Sequence, residues 1–251
     1  MKSHILLFCL ICLVVSCKKD KISPITPTPD DFNLVEPSIL LPQDAYGILH
    51  NIIENFEIEI PGFSDSIGTA ILGKGHAYFF ANVTDSASVS TGCTVSLGIH
   101  ALAEQTDHSY LYKQSSDDSL IYRNVITWSV ACKSIDQTIH LSDFPAKAVI
   151  TSDKYVYRLS GYTATNAAVS GADSIVYQLQ TTTTTRTRVI QKTQAGNSIS
   201  CNFSMSDLTN LDASNYALLT ITGYTTVADT YSGKKYYSTF QQSTTKLVFV
   251  Y

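Results

Sequence analysis

Ile126-Thr127-Trp128-Ser129-Val130-Ala131-Cys132 sets a large apolar or sulfur side chain at every second position, with Thr127, Ser129 and Ala131 between them. A repeat of two is that of a β-strand, whose successive side chains point to opposite faces, so this stretch predicts a strand half-buried on its Trp128 face. The same period recurs outward in both directions. Phe79, Ala81 and Val83 carry it upstream; Ile175, Tyr177 and Leu179, then Ile199, Cys201, Phe203 and Met205, then Ala217, Leu219 and Ile221 carry it downstream. Turn-forming residues punctuate these runs at Pro61-Gly62, Gly73-Lys74-Gly75, Ser170-Gly171-Ala172-Asp173, Ala195-Gly196-Asn197 and Ser232-Gly233-Lys234. Apolar stripes at helical spacing are missing, and the fold class read from this pattern is all-β.

About 200 residues of strand-forming chain suit two sandwiches better than one large barrel. The expected arrangement is two consecutive β-sandwich domains, 44–147 and 148–251, divided near Phe144-Pro145-Ala146, where Pro145 ends one run before a fresh alternation starts at Val149. In the second unit Leu208, Asp212, Ser214, Tyr216 and Leu218 stand at the spacing of the immunoglobulin tyrosine corner, with Ser and Leu in place of its usual Ala and Cys. That spacing predicts an immunoglobulin-like sandwich whose last strand is Lys246–Tyr251.

Ahead of the strands the composition changes. Residues 1–16 read as a lipoprotein signal peptide: Lys2, an apolar run Ile5–Val15, then Val14-Val15-Ser16 leading into Cys17. The run is too short to remain as a span, which needs about 20 apolar residues. Cleavage before Cys17 would leave its sulfur and new amino group to carry acyl chains, at about 0.8 kcal/mol of membrane affinity per buried methylene. Residues 17–43 form the acylated start and a tether. Five of the seven prolines fall there (Pro24, Pro27, Pro29, Pro37, Pro42) among Thr, Ser and Asp, a composition that favours extended, core-free chain.

The net charge is −4, and loss of Lys2 with the signal makes it more negative. No cluster of Lys and Arg with interleaved aromatics is available to neutralise phosphates, so nucleic acid is excluded as a partner. The single basic run, Lys18, Lys19 and Lys21, adjoins the acylation site.

Val14-Val15-Ser16-Cys17-Lys18-Lys19-Asp20, Thr94-Val95-Ser96-Leu97-Gly98, Tyr110-Leu111-Tyr112, Val125-Ile126-Thr127-Trp128-Ser129-Val130, Phe144-Pro145 and Gly233-Lys234-Lys235-Tyr236-Tyr237 follow one another in order and spacing. In this the chain resembles a family of small two-domain lipoproteins of Bacteroidetes-type bacteria. The resemblance implies an outer-membrane, lipid-anchored address at the cell envelope, periplasmic or surface-exposed, and a two-sandwich fold. It carries no activity, cofactor or functional residue. Asp65-Ser66-Ile67, Asp85-Ser86-Ala87, Asp118-Ser119-Leu120 and Asp173-Ser174-Ile175 are similar to the O-glycosylation acceptor of exported proteins in the same group.

Cys9 and Cys12 form a C-x-x-C, but within the signal peptide, so the motif has no metal or redox meaning in the mature chain. Cys93, Cys132 and Cys201 remain. An oxidising compartment permits a disulfide, and Cys93 with Cys132 is the candidate pair because both lie in the first unit. The alternative is that all three pack as small hydrophobes.

No arrangement of residues spells out catalysis or a cofactor site. His50, His76, His100, His108 and His140 show neither H-x-H nor H-E-x-x-H spacing, so no metal site is expected. His100 and His108, with Glu104 and Asp107, read as loop surface. Gly62-Phe63-Ser64-Asp65-Ser66 misses the last glycine of a nucleophile elbow. Asp30-Asp31 and Asp117-Asp118 read as solvated pairs.

Fifteen tyrosines offer the positive hint of binding, since a phenol ring stacks on a sugar face while its hydroxyl bonds at the rim. Tyr110 and Tyr112, and Tyr231, Tyr236 and Tyr237 around the Ser232-Gly233 turn, are the candidate ligand-contact aromatics; Trp128 is expected in the core. The expected function is that of a non-catalytic, membrane-anchored lipoprotein presenting immunoglobulin-like domains to a protein or glycan of the envelope. The alternative is an extracytoplasmic glycosidase or peptidase, which a pocket with two carboxylates or a Ser–His contact would favour.

Overall fold

A computed structural model describes residues 34–38, 42–59, 67–113 and 125–251. The protein is all-β. In chain order the described strands are β1 (Gly47–Glu59), β2 (Ile67–Phe79), β3 (Val95–Leu97), β4 (His100–Ala101), β5 (Tyr110–Lys113), β6 (Ile126–Val130), β7 (Ile135–Ile139), β8 (Tyr155–Val156), β9 (Tyr162–Thr165), β10 (Ser174–Thr182), β11 (Thr187–Ala195), β12 (Ser200–Phe203), β13 (Ser214–Tyr231) and β14 (Lys234–Val250). One short helix, α1 (Met205–Leu208), links β12 to β13. An eight-stranded sheet runs β11-β10-β13-β14-β1-β2-β5, with β8 beside the end of β14; β4-β3-β6-β7 form a second sheet and β12-β9 a third.

Alternation decides what each sheet buries. The odd residues of β1 and the even residues of β6 meet in a first core holding Leu49, Ile53, Phe79, Leu97, Trp128 and Ile135. Ile175, Tyr177 and Leu179 of β10 and Leu219 and Ile221 of β13 face Ala164, Cys201 and Phe203 of the β12-β9 pair in a second. Each fully buried Leu, Ile or Phe contributes about 1.5–3 kcal/mol relative to exposure.

The long hairpin β13–β14 belongs to both cores. Its turn is Ser232-Gly233, both with positive φ (51° and 73°), the backbone that a two-residue hairpin loop requires. Val248 and Val250 lie in the second core, whereas Tyr236 and Phe240, on the same strand, lie in the first. β1 runs parallel to β14 from Gly47 opposite Tyr236 to Glu57 opposite Lys246, and β8 takes its place at Phe249 opposite Tyr155. The sheet is therefore continuous across the 147/148 division, and the last strand is Lys234–Val250 instead of the expected Lys246–Tyr251.

Several local expectations are corrected. Gly73-Lys74-Gly75 is no turn but the middle of β2, and Gly75 sits opposite Asn51. A Cβ at Gly75 would stand 2.5 Å from Leu97 Cδ2 and 3.0 Å from Trp128 Cζ2, so this glycine is there for close approach. Beyond Phe79 the chain turns away, leaving Ala81 and Val83 in a loop; Cys132 lies in a 3-10 turn (Ala131–Lys133) after β6, and Met205 opens α1 and is exposed.

The tyrosine corner does not form at Tyr216, whose side chain is 67% exposed. Asp212, expected within that corner, instead pairs with Arg186. The hydroxyl that does return to upstream backbone is that of Tyr162, which donates to the Asp153 carbonyl at 2.7 Å.

Residues 34–38, expected in the tether, lie against the large sheet with Pro37 buried. Composition read them as solvent-borne because prolines supply no core, but their free backbone groups find side-chain partners on the sheet.

Candidate functional site

The face of the large sheet turned away from both cores carries His50 and Glu54 of β1, Lys74, His76 and Tyr78 of β2, and Gln241 of β14. Such a polar row in period two would ordinarily meet water, yet His50 is 8%, Glu54 2% and Gln241 1% exposed.

Three contacts organise this face. Lys74 Nζ lies 2.9 Å from Glu54 Oε1 and 3.0 Å from Glu36 Oε1, joining β2, β1 and the segment before β1. Burial works against each charge, but the opposed partners outweigh it: the Glu36 carboxyl is held below its ordinary range and the Lys74 ammonium above its own. His50 Nε2 meets Gln241 Oε1 at 3.1 Å; burial pushes this imidazole down to about 4, so it is neutral at physiological pH.

His76 forms the centre of a chain of hydrogen bonds. The Tyr78 hydroxyl lies 2.7 Å from His76 Nδ1, His76 Nε2 lies 3.1 Å from Ser109 Oγ, and the Ser109 hydroxyl donates to Asp107 Oδ1 at 2.7 Å. Burial raises the Tyr78 hydroxyl to about 12, so it remains a donor. The directions of these protons decide the chemistry. With Tyr78 donating to Nδ1 and Ser109 donating to Asp107, Nε2 is the nitrogen that carries hydrogen, and it donates to Ser109. A general base must instead accept the serine proton. Ser109 is also 2% exposed. The Ser–His contact is thus arranged to brace the loop ahead of β5.

At its other end the same face becomes aromatic. Phe249 and Tyr155 face each other across the β14–β8 pairing with ring centres 5.6 Å apart; Tyr155 and Tyr251 are 6.2 Å apart, and Tyr251 and Tyr157 5.8 Å apart. Tyr157 and Tyr251 are stacked at an interplanar angle of 26°, and the other two pairs are tilted at 31° and 35°. Tyr157 and Tyr251 are more than half exposed and Tyr155 is 39% exposed. Val156, between Tyr155 and Tyr157, is fully buried and anchors them.

The tyrosines expected at a ligand site are elsewhere. Tyr110 and Tyr112 are buried at 3% and 9%, and the Tyr110 hydroxyl bonds Thr91 and Glu104. Tyr236 is buried at 4%, edge-on to the half-buried Tyr231 at 5.8 Å. Tyr237 is held by its hydroxyl bond to Asp44 and by the Lys235 ammonium over its ring. The signal that locates the exposed row is Tyr-x-Tyr at 155/157 with Phe-x-Tyr at 249/251, short alternations with a buried residue between.

Cys93 and Cys132 are joined in a disulfide, with Cα atoms 5.9 Å apart, while Cys201 is a buried free thiol pushed up by that burial. His108 Nδ1 pairs with Glu104 at 2.5 Å, and the His100 ring lies against Tyr112. Among the described residues no group of three or more His, Cys, Asp and Glu is placed to hold a metal, and no helix is long and apolar enough to cross a membrane. A depression of about 500 Å³ beside Pro42, Ile48, Phe80 and Val83 is lined by one carboxylate, Asp85, which accepts the Asn82 amide. Ser86 is exposed on its rim and Ser174 is half-buried in β10. Cys17, Lys18, Lys19, Lys21, Asp30-Asp31, the Gly62–Ser66 stretch, Ser66, Asp117-Asp118 and Ser119 lie outside the described residues.

Compared with known proteins, the chain matches no family model and shows no significant similarity to a curated protein.

Proposed function

We propose that this protein is a non-catalytic lipoprotein, anchored through Cys17 at the outer membrane of the cell envelope, that binds a glycan on the tyrosine row of Tyr155, Tyr157 and Tyr251. The row is the observation that carries the reading. Neighbouring exposed phenol rings fixed beside a sheet offer apolar faces with hydroxyl rims, which is what the faces of sugar rings require. Strand pairing supports immunoglobulin-like presentation: β9-β12 opposite β11-β10-β13-β14-β8 repeats the two-sheet division of that sandwich, with the last strand flanked in parallel by a short early one. The Pro-rich tether holds this surface away from the bilayer.

The test is retention on isolated envelope polysaccharide. Tyr157→Ala with Tyr251→Ala should lower binding at least about tenfold, since each lost stacking contact is worth on the order of 1 kcal/mol. Unchanged retention would count against the glycan reading. The hydrolase alternative would need the His76–Ser109 hydrogen bond reversed, with the serine donating; turnover of a glycan or peptide abolished by His76→Gln would establish it in place of the binding role.

A further inference from the structure

Between the His50 end and the tyrosine row, the polar face holds an extended piece of backbone by its peptide groups. The Val35 amide donates to Gln180 Oε1 at 2.9 Å, and Gln178 Nε2 donates to the Val35 carbonyl at 2.8 Å. Gln191 does the same for one residue alone: the Ser38 amide donates to its Oε1 at 2.9 Å and its Nε2 donates to the Ser38 carbonyl at 2.7 Å. Side-chain amides here play the part of a neighbouring strand, reading main chain instead of side chains. Between these residues Glu36 reaches Lys74 on β2 and Pro37 is buried, so the short strap spans from the β11 edge towards the opposite side of the sheet.

The strap does not use up the site. Gln178 Oε1, Thr222 Oγ1, Thr239 Oγ1 and Gln241 Nε2 are buried without a hydrogen-bond partner. They step across β10, β13 and β14, strands spaced about 4.8 Å apart, on the face where the strap lies. Each such atom left unpaired costs about 1–3 kcal/mol, so four on one face mark more polar capacity than the strap uses. The set is neutral: amides and hydroxyls, with His50 uncharged at its end. Phosphates and sulfates would need Lys or Arg along the track, whereas neutral amides and hydroxyls match peptide groups.

We infer that this face is a binding site for an extended polypeptide carrying a carboxylate followed by proline, and that Val35–Ser38 is its resident occupant at one end. Lys74 reads the carboxylate and Gln178, Gln180 and Gln191 read the backbone; Thr222, Thr239 and Gln241, each at most 1% exposed, are reached by a longer peptide only where its entry displaces what covers them. The site is distinct from the tyrosine row, and its failure or success leaves the glycan reading untouched.

The experiment uses the detergent-solubilised full chain and a fluorescent peptide with the sequence of residues 31–38, followed by anisotropy. In the unaltered chain the strap competes intramolecularly at an effective concentration of order millimolar, so the probe binds weakly. Glu36→Ala in the chain removes the strap's ion pair and should raise probe affinity at least about tenfold; Gln191→Ala added to it should reverse the gain. A probe N-methylated at its valine loses the donor to Gln180 and should bind at least about tenfold more weakly to the same Glu36→Ala chain, a comparison needing no further protein variant. Equal binding of the methylated and plain probes, or no gain with Glu36→Ala, overturns the proposal. A gain accompanied by a doubling of particle size without probe would assign the site to straps exchanged between copies and overturn a role for a foreign peptide.

Discussion

Trp128 donates its indole N–H to Asn51 Oδ1 at 2.8 Å, and this bond crosses from one sheet of the first core to the other. Asn51 in turn donates to the carbonyls of Leu49 and Thr239, each at 3.2 Å, so one buried amide ties β6, β1 and β14 together.

Asn51→Leu keeps the branched shape but leaves the indole donor unmet inside the core, at a cost of about 1–3 kcal/mol. Trp128 is the single tryptophan, so urea unfolding followed by its fluorescence reports the change at its source. An unchanged midpoint would show that the bond is not contributing.

Gly75→Ala forces a methyl into the contact between β2, Leu97 and Trp128. Overpacking of this kind costs about 1–3 kcal/mol, and the expected outcome is a lower melting temperature with altered near-ultraviolet dichroism of Trp128.

The Cys93–Cys132 bridge links residues 39 apart in sequence, from the loop before β3 to the turn after β6. Reduction, or Cys132→Ser, should lower stability by about 2–4 kcal/mol by freeing the unfolded chain. Thermal melts with and without a thiol reductant measure this; Cys132→Ser should also abolish any effect of the reductant.

His50 sets a pH dependence. Its imidazole is depressed to about 4 by burial, with Lys74 and His76 reinforcing that direction and Glu36 and Gln241 opposing it, while the unfolded chain titrates near the ordinary 6.5. The unfolded state therefore takes up the proton first, so stability is complete above about pH 6.5 and falls as the pH drops towards 4, by about 3 kcal/mol at most. His76, also lowered by burial, adds in the same sense. In His50→Gln, the fall in unfolding free energy between about pH 7 and pH 4.5 should shrink by more than half; an unaltered slope would assign the effect elsewhere.

Cys17→Ser removes the sulfur that an acyl chain needs. The variant should leave the membrane fraction on cell disruption, and its retention there would count against lipid anchoring.

Period-two alternation was readable wherever one face is apolar and the other is not. Ile126, Trp128 and Val130, Ile175, Tyr177 and Leu179, and Ala217, Leu219 and Ile221 all point inward as their spacing required. What the spacing could not carry was pairing. β1 meets β14 in parallel, with His50 touching Gln241 from 191 positions away, and no local pattern encodes such a partner. The polar face misled for a related reason: Thr220, Thr222, Gln241 and Ser243 alternate like residues facing water, yet each is at most 1% exposed. Tyr155 and Tyr157 escaped notice because β8 is two residues long and offers no run to count, whereas Tyr110 and Tyr112 stood in a longer alternation whose phenols turned out to face the core.

The parallel seam between β1 and β14 also governs when this molecule can fold. Contacts so distant in sequence place it among the slow, non-local β topologies, with folding on a scale of about milliseconds to seconds. During synthesis β1 and β2 emerge well before β14. Until that strand arrives, β1 presents an open edge of unpaired amides and carbonyls, to which a strand from any neighbouring chain can add. Crowding of newly made copies is therefore a condition under which this protein is prone to misassemble.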